Sequence, residues 1–148
     1  MLEADMIQTR GFHNIVENGK AVGFQFCIRL TYYRGIFLSQ LRPQKVVVDG
    51  EIFPKEQVVW NIKGQDFSVK EMKSNAQMHW CPTETATLKI YKSGGLTQVY
   101  HEISTGYKYS SSYIPPELQK GIDSEDVDEF LEAMFGQLHS TRKLLLVW

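Results

Sequence analysis

Three short turn motifs do most to restrict the folds open to this chain. Asn18-Gly19 separates Phe12–Val16 from Ala21–Leu30, Asp49-Gly50 separates Val46-Val47-Val48 from Glu51-Ile52-Phe53, and Lys63-Gly64-Gln65 separates Val58–Ile62 from Asp66–Val69. A short turn that accepts positive φ, set between apolar runs, closes an antiparallel hairpin. The strand reading is strongest in the second run. There Phe24, Phe26, Ile28 and Leu30 alternate with Gln25, Cys27, Arg29 and Thr31, the period of a strand buried on one face. Many short strands with turns at close spacing predict a mainly β protein, an antiparallel β-sandwich.

The remaining strands follow the same logic. Met6–Arg10 reads as a short first strand and Gly11-Phe12-His13-Asn14 as a turn or bulge. The run from Phe24 breaks at Thr31-Tyr32-Tyr33-Arg34-Gly35, where a glycine frees the backbone, and resumes over Ile36–Leu41. Pro43 marks a loop or an edge. Lys70–Lys73 makes one helical turn, and Ser74–Thr83 is a loop with Trp80 as a possible anchor. Thr85–Tyr91 alternates. Ser93-Gly94-Gly95 is a turn. Val99–Ser104 and Tyr107–Ser112 are strands split at Gly106, and Pro115-Pro116 ends the sheet because neither residue donates to a ladder.

Composition shifts at Gly121. Asp123-Ser124-Glu125-Asp126 has the acidic, capping character of a helix start. Val127, Phe130, Leu131, Met134 and Leu138 then recur at helical spacing. The expected organisation is a β-sandwich domain over residues 1–120 and a C-terminal amphipathic helix and apolar tail over residues 121–148. That segment would pack on the same domain or on a partner, and the apolar tail from Leu144 to Trp148 would pack or pair as an edge strand.

Charge narrows the partners. With 16 Lys and Arg against 17 Asp and Glu, the net charge is -1, so no basic excess meets phosphates and nucleic acid is not expected. No apolar run approaches the roughly 20 residues of a membrane helix, and Met1–Asp5 has no secretion signal, which points to the cytoplasm. In that compartment Cys27 and Cys81 read as free thiols.

The chain shows no self-sufficient catalytic constellation. His13, His79, His101 and His139 make no paired metal spacing. His79-Trp80-Cys81 and His101-Glu102 hold possible ligands, but neighbouring strand residues face opposite ways, so no metal is expected in this chain. His139 reads as a cation at a helix C-terminus. Cys27 has no basic neighbour to activate it, and Ser110-Ser111-Ser112 lacks a nucleophile elbow. Phe24, Phe26, Trp60 and Phe67 are core candidates. Tyr32, Tyr33, Tyr113 and Trp80 lie in breaks or loops, where recognition and plain anchoring are both open. Arg34 is either a carboxylate or ring binder or simply solvated.

Four stretches carry a family resemblance. They are Gly11-Phe12-His13-Asn14 with Gly23-Phe24-Gln25-Phe26; Tyr32-Tyr33-Arg34-Gly35-Ile36-Phe37-Leu38-Ser39; Val48-Asp49-Gly50-Glu51 followed by Phe53-Pro54; and Gly94-Gly95-Leu96 followed by Ser112-Tyr113-Ile114-Pro115. Their order and spacing over Met6–Glu117 resemble the small β subunit of bacterial C-glycoside deglycosidases. The resemblance implies a β-sandwich supporting a TIM-barrel α subunit that holds a divalent metal, usually manganese, and the catalytic base. The implied activity is that of a lyase on 3-oxo-C-glucosides of flavonoids and other aryl compounds. The ketone acidifies the proton at C2, a base removes it, the metal stabilises the enolate, and the aglycone leaves from C1. The chain alone would then be inactive. Tyr32, Tyr33, Arg34 and Tyr113 become the expected substrate- or partner-binding residues. Two other readings stay open: a carbohydrate-binding sandwich with Tyr32, Tyr33 and Trp80 as a stacking platform, and a structural homo-oligomer.

Overall fold

The computed structural model describes residues 2–31, 35–110 and 135–146, with backbone only at Ser110 and Phe135–Leu138. Among the described residues twelve strands form two main antiparallel sheets and one small one. The first sheet contains β1 (His13–Glu17), β2 (Lys20–Arg29), β7 (Val58–Ile62), β8 (Gln65–Phe67) and β10 (Thr85–Tyr91), in the order β1-β2-β10-β7-β8. The second contains β4 (Leu41–Pro43), β5 (Val46–Val48), β6 (Glu51–Phe53), β11 (Tyr100–Ser110) and β12 (Phe135–Leu145). Its order is β12-β11-β5-β6, with β4 also on β11. The small sheet joins β3 (Ile36–Phe37) to β9 (His79–Trp80).

The three expected hairpins are present as β1–β2, β5–β6 and β7–β8. In each turn both central residues have positive φ: 53° and 76° at Asn18 and Gly19, 50° and 87° at Asp49 and Gly50, 55° and 81° at Lys63 and Gly64. This backbone twist matches the twist of the flanking strands. The one α-helix among the described residues, α1 (Val69–Lys73), is one turn and a little more. It starts on a capping box in which Ser68 Oγ accepts from the Glu71 N–H and Glu71 accepts from the Ser68 N–H.

The inward alternation of β2, β10 and β7 builds the core. Phe24, Phe26, Ile28, Ala86, Leu88, Ile90, Val58, Trp60 and Ile62 are buried, as are Val46, Val48, Ile103 and Tyr107 from the opposite sheet. Two contacts show how the layers lock. Phe24 of β2 meets Phe53 of β6 edge-on, with centroids 5.5 Å apart. An aromatic run then crosses the sandwich: Trp60 lies 5.7 Å from Trp80, and Trp80 lies 5.6 Å from Tyr107. The Tyr107 hydroxyl donates to the Arg29 carbonyl at 3.3 Å and accepts from the Thr31 N–H at 3.2 Å. It therefore pins the end of β2. Its burial pushes the Tyr107 phenol up.

The structure departs from the sequence expectations at several places. Met6–Arg10 forms no strand, only an isolated bridge from Ile7 to Ile28, and the loop read over Ser74–Thr83 contains β9. Gly106 does not split a strand. β11 runs through it because β12 pairs along all eleven residues on one flank, while β4, β5 and the Gln44 N–H serve the other. Ile36–Leu41 is not one strand: a 3-10 turn over Leu38–Gln40 divides β3 from β4, and Pro43 sits within β4. The helical spacing read as far as Leu138 ends earlier, since Phe135–Leu138 belong to β12; the rest of that helix lies outside the described residues. His139 consequently caps no helix. It stands in β12 with Nε2 3.1 Å from Ser104 Oγ.

The tail does pair as an edge strand. Leu144 and Leu146 enter the core. From the same strand Arg142 reaches back to the beginning of the chain, donating to the Ile7 carbonyl at 2.8 Å and pairing with Glu3 at 3.2 Å and Asp5 at 3.3 Å. Among the described residues no helix is long and apolar enough to cross a membrane.

Candidate functional site

Three of the four motif stretches meet at one place, the segment Lys92–Val99 that carries the chain from β10 in the first sheet to β11 in the second. Gly94-Gly95 turns it with φ of 82° and 61°. Asn14, at the second position of β1, holds it from one side. Its Nδ2 donates to the Leu96 carbonyl at 2.9 Å, and its Oδ1 accepts from the Leu96 N–H at 2.9 Å. The side chain fits because residue 95 is glycine: a Cβ there would stand 2.5 Å from Asn14 Oδ1.

His101 and Asp49 hold the crossover from the other side. His101 is 5% exposed. Its Nδ1 lies 2.5 Å from Asp49 Oδ2 and its Nε2 2.7 Å from the Thr97 carbonyl. Phe12 packs edge-on to the ring at 6.2 Å. Asp49 Oδ1 accepts from the Glu102 N–H at 2.8 Å, tying the β5–β6 turn to β11. A small pocket of about 230 Å³ opens between the turn and the crossover, lined by Asp49, Glu51, Lys92, Leu96, Thr97 and His101. Lys92 is paired with Glu51 at 2.7 Å. Beyond the crossover, Val99 and Tyr100 are exposed, and Leu145 stands directly across from Tyr100.

Partial burial pushes the Asp49 carboxyl up, but the bonds from His101 and the Glu102 N–H outweigh it and hold the group below the usual carboxylate range. A depressed carboxylate stabilises the fold above its unfolded value, and that contribution is lost as pH falls through the lower folded value. Thermal unfolding followed below neutral pH is therefore expected to show an acid limb that flattens in Asp49→Asn, a change that keeps the turn because Asn also accepts positive φ. Superimposable acid limbs would show that the carboxylate contributes nothing there.

The corner around the Tyr-Tyr-Arg-Gly break forms a second locus. Tyr32, Tyr33, Arg34 and Tyr113 lie outside the described residues; their flanks do not. Gly35 has no positive φ, so backbone freedom is not its reason. A Cβ there would stand 1.9 Å from the His79 ring, and glycine is required by space. His79 packs edge-on to Phe37 at 5.1 Å and places Nδ1 3.4 Å from Cys81 Sγ. His79 and Cys81 were not expected to converge, yet residues two apart on a strand share a face. Trp80 between them points inward and is fully buried. Its Nε1 donates to the Glu84 carbonyl at 3.1 Å. It is an anchor, which removes it from any sugar-stacking platform. Cys27 and Cys81 are free thiols.

His101 was the residue that sequence reasoning missed. It was set aside because its neighbour Glu102 faces away, whereas its partner, Asp49, comes from a turn 52 positions earlier. The available signal was Asp49 itself, an acidic residue at a turn position inside a motif.

An antiparallel two-sheet sandwich whose motif residues fasten one crossover and one corner defines a class of scaffold that presents loops. The comparisons give the family. The model of the C-glycoside deglycosidase beta subunit family matches residues 2–113. The "C-glycoside deglycosidase beta subunit" of Eubacterium cellulosolvens is 42% identical over 147 residues, covering 99% of this chain and all of that protein. The protein of the same name from Microbacterium trichothecenolyticum is 29% identical over 105 residues, 69% of this chain and 75% of its own. The chain belongs to the C-glycoside deglycosidase beta subunit family.

Proposed function

We propose that this chain is the small subunit of a C-glycoside-cleaving lyase and is inactive alone. The observation that supports this reading is the 42% identity to a named beta subunit across essentially both chains. The substrate class is the 3-oxo-C-glucoside of a flavonoid or other aryl compound. A ketone at C3 acidifies the C2 proton. A base on the partner removes it, and the electron pair expels the aglycone from C1, which leaves as a carbanion and takes up a proton. The products are the free aglycone and an anhydro-enol-ketose.

The partner in this reading is a TIM-barrel alpha subunit. Among the described residues no three His, Cys, Asp or Glu side chains converge as a metal would need. The donor set for a divalent ion such as manganese is proposed to belong to that partner, as the family resemblance implies. This chain's part is to shape the shared site, with Tyr32, Tyr33, Arg34 and Tyr113 as the proposed contacts to partner or substrate. Pinning of Thr31 by Tyr107 and close packing of Gly35 on His79 fix both flanks of that corner.

Co-expression with a barrel-type candidate partner, size exclusion and an assay of aglycone release from a 3-oxo-C-glucoside with manganese test the reading. A co-eluting active complex is expected. Separate elution with no activity would overturn it. Within the complex, Tyr33→Ala is expected to weaken subunit binding by about 2 kcal/mol, the loss of an aromatic hot spot. An unchanged dissociation constant would take Tyr33 out of the interface.

A further inference from the structure

The geometry points to His79 and Cys81 as an open two-ligand site for a soft divalent cation of the zinc class. The two residues stand two apart, His79 in β9 and Cys81 directly after it, so their side chains leave on one face while Trp80 between them enters the core. His79 Nδ1 lies 3.4 Å from Cys81 Sγ. A tetrahedral ion with a nitrogen at about 2.0–2.1 Å and a sulfur at about 2.3 Å separates two such ligands by about 3.5–3.6 Å. The pair therefore needs almost no movement to share one ion.

The ring is held in this orientation from two sides. It lies against Gly35, where any Cβ would overlap it, and Phe37 packs edge-on to it at 5.1 Å. His79 and Cys81 are both half-buried, so solvent reaches the space between them. The third donor that a tightly held ion needs is absent among the described residues. The site is thus one that an ion occupies reversibly, with water in the remaining positions.

Donor chemistry selects the ion. A thiolate beside an imidazole favours zinc and its relatives, whereas manganese, magnesium and calcium prefer oxygen ligands. The site differs in kind from the manganese donor set proposed for the partner, and nothing in it rests on the subunit reading. On binding, the Cys81 S–H bond breaks, a sulfur–metal bond forms, and the proton passes to solvent. The ring binds through the lone pair of Nδ1 and keeps its proton on Nε2. Cys27 is the built-in comparison: its Sγ has the Thr87 hydroxyl at 3.4 Å in place of an imidazole.

The test uses the full-length chain without a partner. Titration with Co2+ is expected to give a sulfur-to-cobalt charge-transfer band that Zn2+ removes. Alkylation by iodoacetamide, read at each cysteine by peptide mass spectrometry, gives a second measurement that needs no variant. Zn2+ at about ten times its dissociation constant should slow alkylation of Cys81 about tenfold, in proportion to the fraction left free, and leave Cys27 unchanged. Mn2+ at the same concentration should protect neither. Cys81→Ser should abolish the cobalt band, Cys27→Ser should keep it, and His79→Gln should weaken Zn2+ binding about tenfold or more, at least the cost of disturbing a metal ligand's support. Absence of the band in the parent chain, with Cys81 unprotected by Zn2+, would leave only a thiol–imidazole hydrogen bond and overturn the inference. Equal protection by Mn2+, or a band that survives Cys81→Ser, would overturn it as well.

Discussion

Replacing Tyr107 with alanine is expected to lower the free energy of unfolding by about 3–5 kcal/mol, the range for removing a large aromatic from a packed core. The size follows from its position. Tyr107 is fully buried, edge-on to Trp80 at 5.6 Å and tilted against Tyr109 at 6.1 Å, and its hydroxyl serves two backbone groups at the end of β2, the Arg29 carbonyl and the Thr31 N–H. Alanine opens a cavity where the two layers meet and leaves the Thr31 N–H without its partner. Tyr107→Phe separates these effects. It keeps the ring and removes only the hydroxyl, so about 1–2 kcal/mol is expected, near the cost of leaving buried backbone groups unmade. Denaturant midpoints with unchanged slopes would measure both. A loss below about 1 kcal/mol for Tyr107→Ala would mean that the aromatic run does not join the sheets.

The second large effect is expected at the crossover. Gly95→Ala should cost about 2–5 kcal/mol, from two sources that a control can separate. An L-residue at a φ of 61° costs about 1–2 kcal/mol. Overpacking adds about 1–3 kcal/mol, since the new methyl would meet Asn14 Oδ1 at 2.5 Å and the Gly23 carbonyl oxygen at 3.0 Å. Gly94 is the control. Its φ is 82°, but a Cβ there meets nothing within 4 Å. Gly94→Ala should therefore show only the conformational part. Equal losses for the two variants would show that the Asn14 contact yields without cost.

These two sites also show what local sequence conveys and what it does not. The hairpins were legible because each rests on adjacent residues: Asn18-Gly19, Asp49-Gly50 and Lys63-Gly64 have the chemistry of the turns they make. Thr85–Tyr91 was legible to the residue because its alternation is unbroken. The continuity of β11 through Gly106 was not, because a glycine there reads as a break until His139 is known to pair across from it. Leu138 fitted a helical period, but the ladder with Tyr107 decided its state. Trp80 was read as a possible anchor of an aperiodic stretch, but nothing local told that it would lie between Trp60 and Tyr107. The role of Gly35 was read as flexibility, yet the requirement is room for His79. At the crossover the motif residues were visible and their meeting was not. Asn14, Asp49 and His101 come from three separate strands or turns, and only the pairing of sheets brings them together.

The Arg142–Ile7 bond joins residues 135 positions apart. It closes a fold whose strands pair largely with distant sequence, and such topologies fold slowly because long loops must close before contacts reward them. During synthesis the effect is sharper. Once Ser110 has emerged, β11 has one flank to fill and no strand to fill it until Phe135–Leu145 follows. At about 5–20 residues per second that interval is roughly 2–7 s. For those seconds the nascent sandwich carries an open edge eleven residues long, the kind of edge that pairs with whatever strand arrives first. β12 is thus also the sandwich's protection against its neighbours on the polysome.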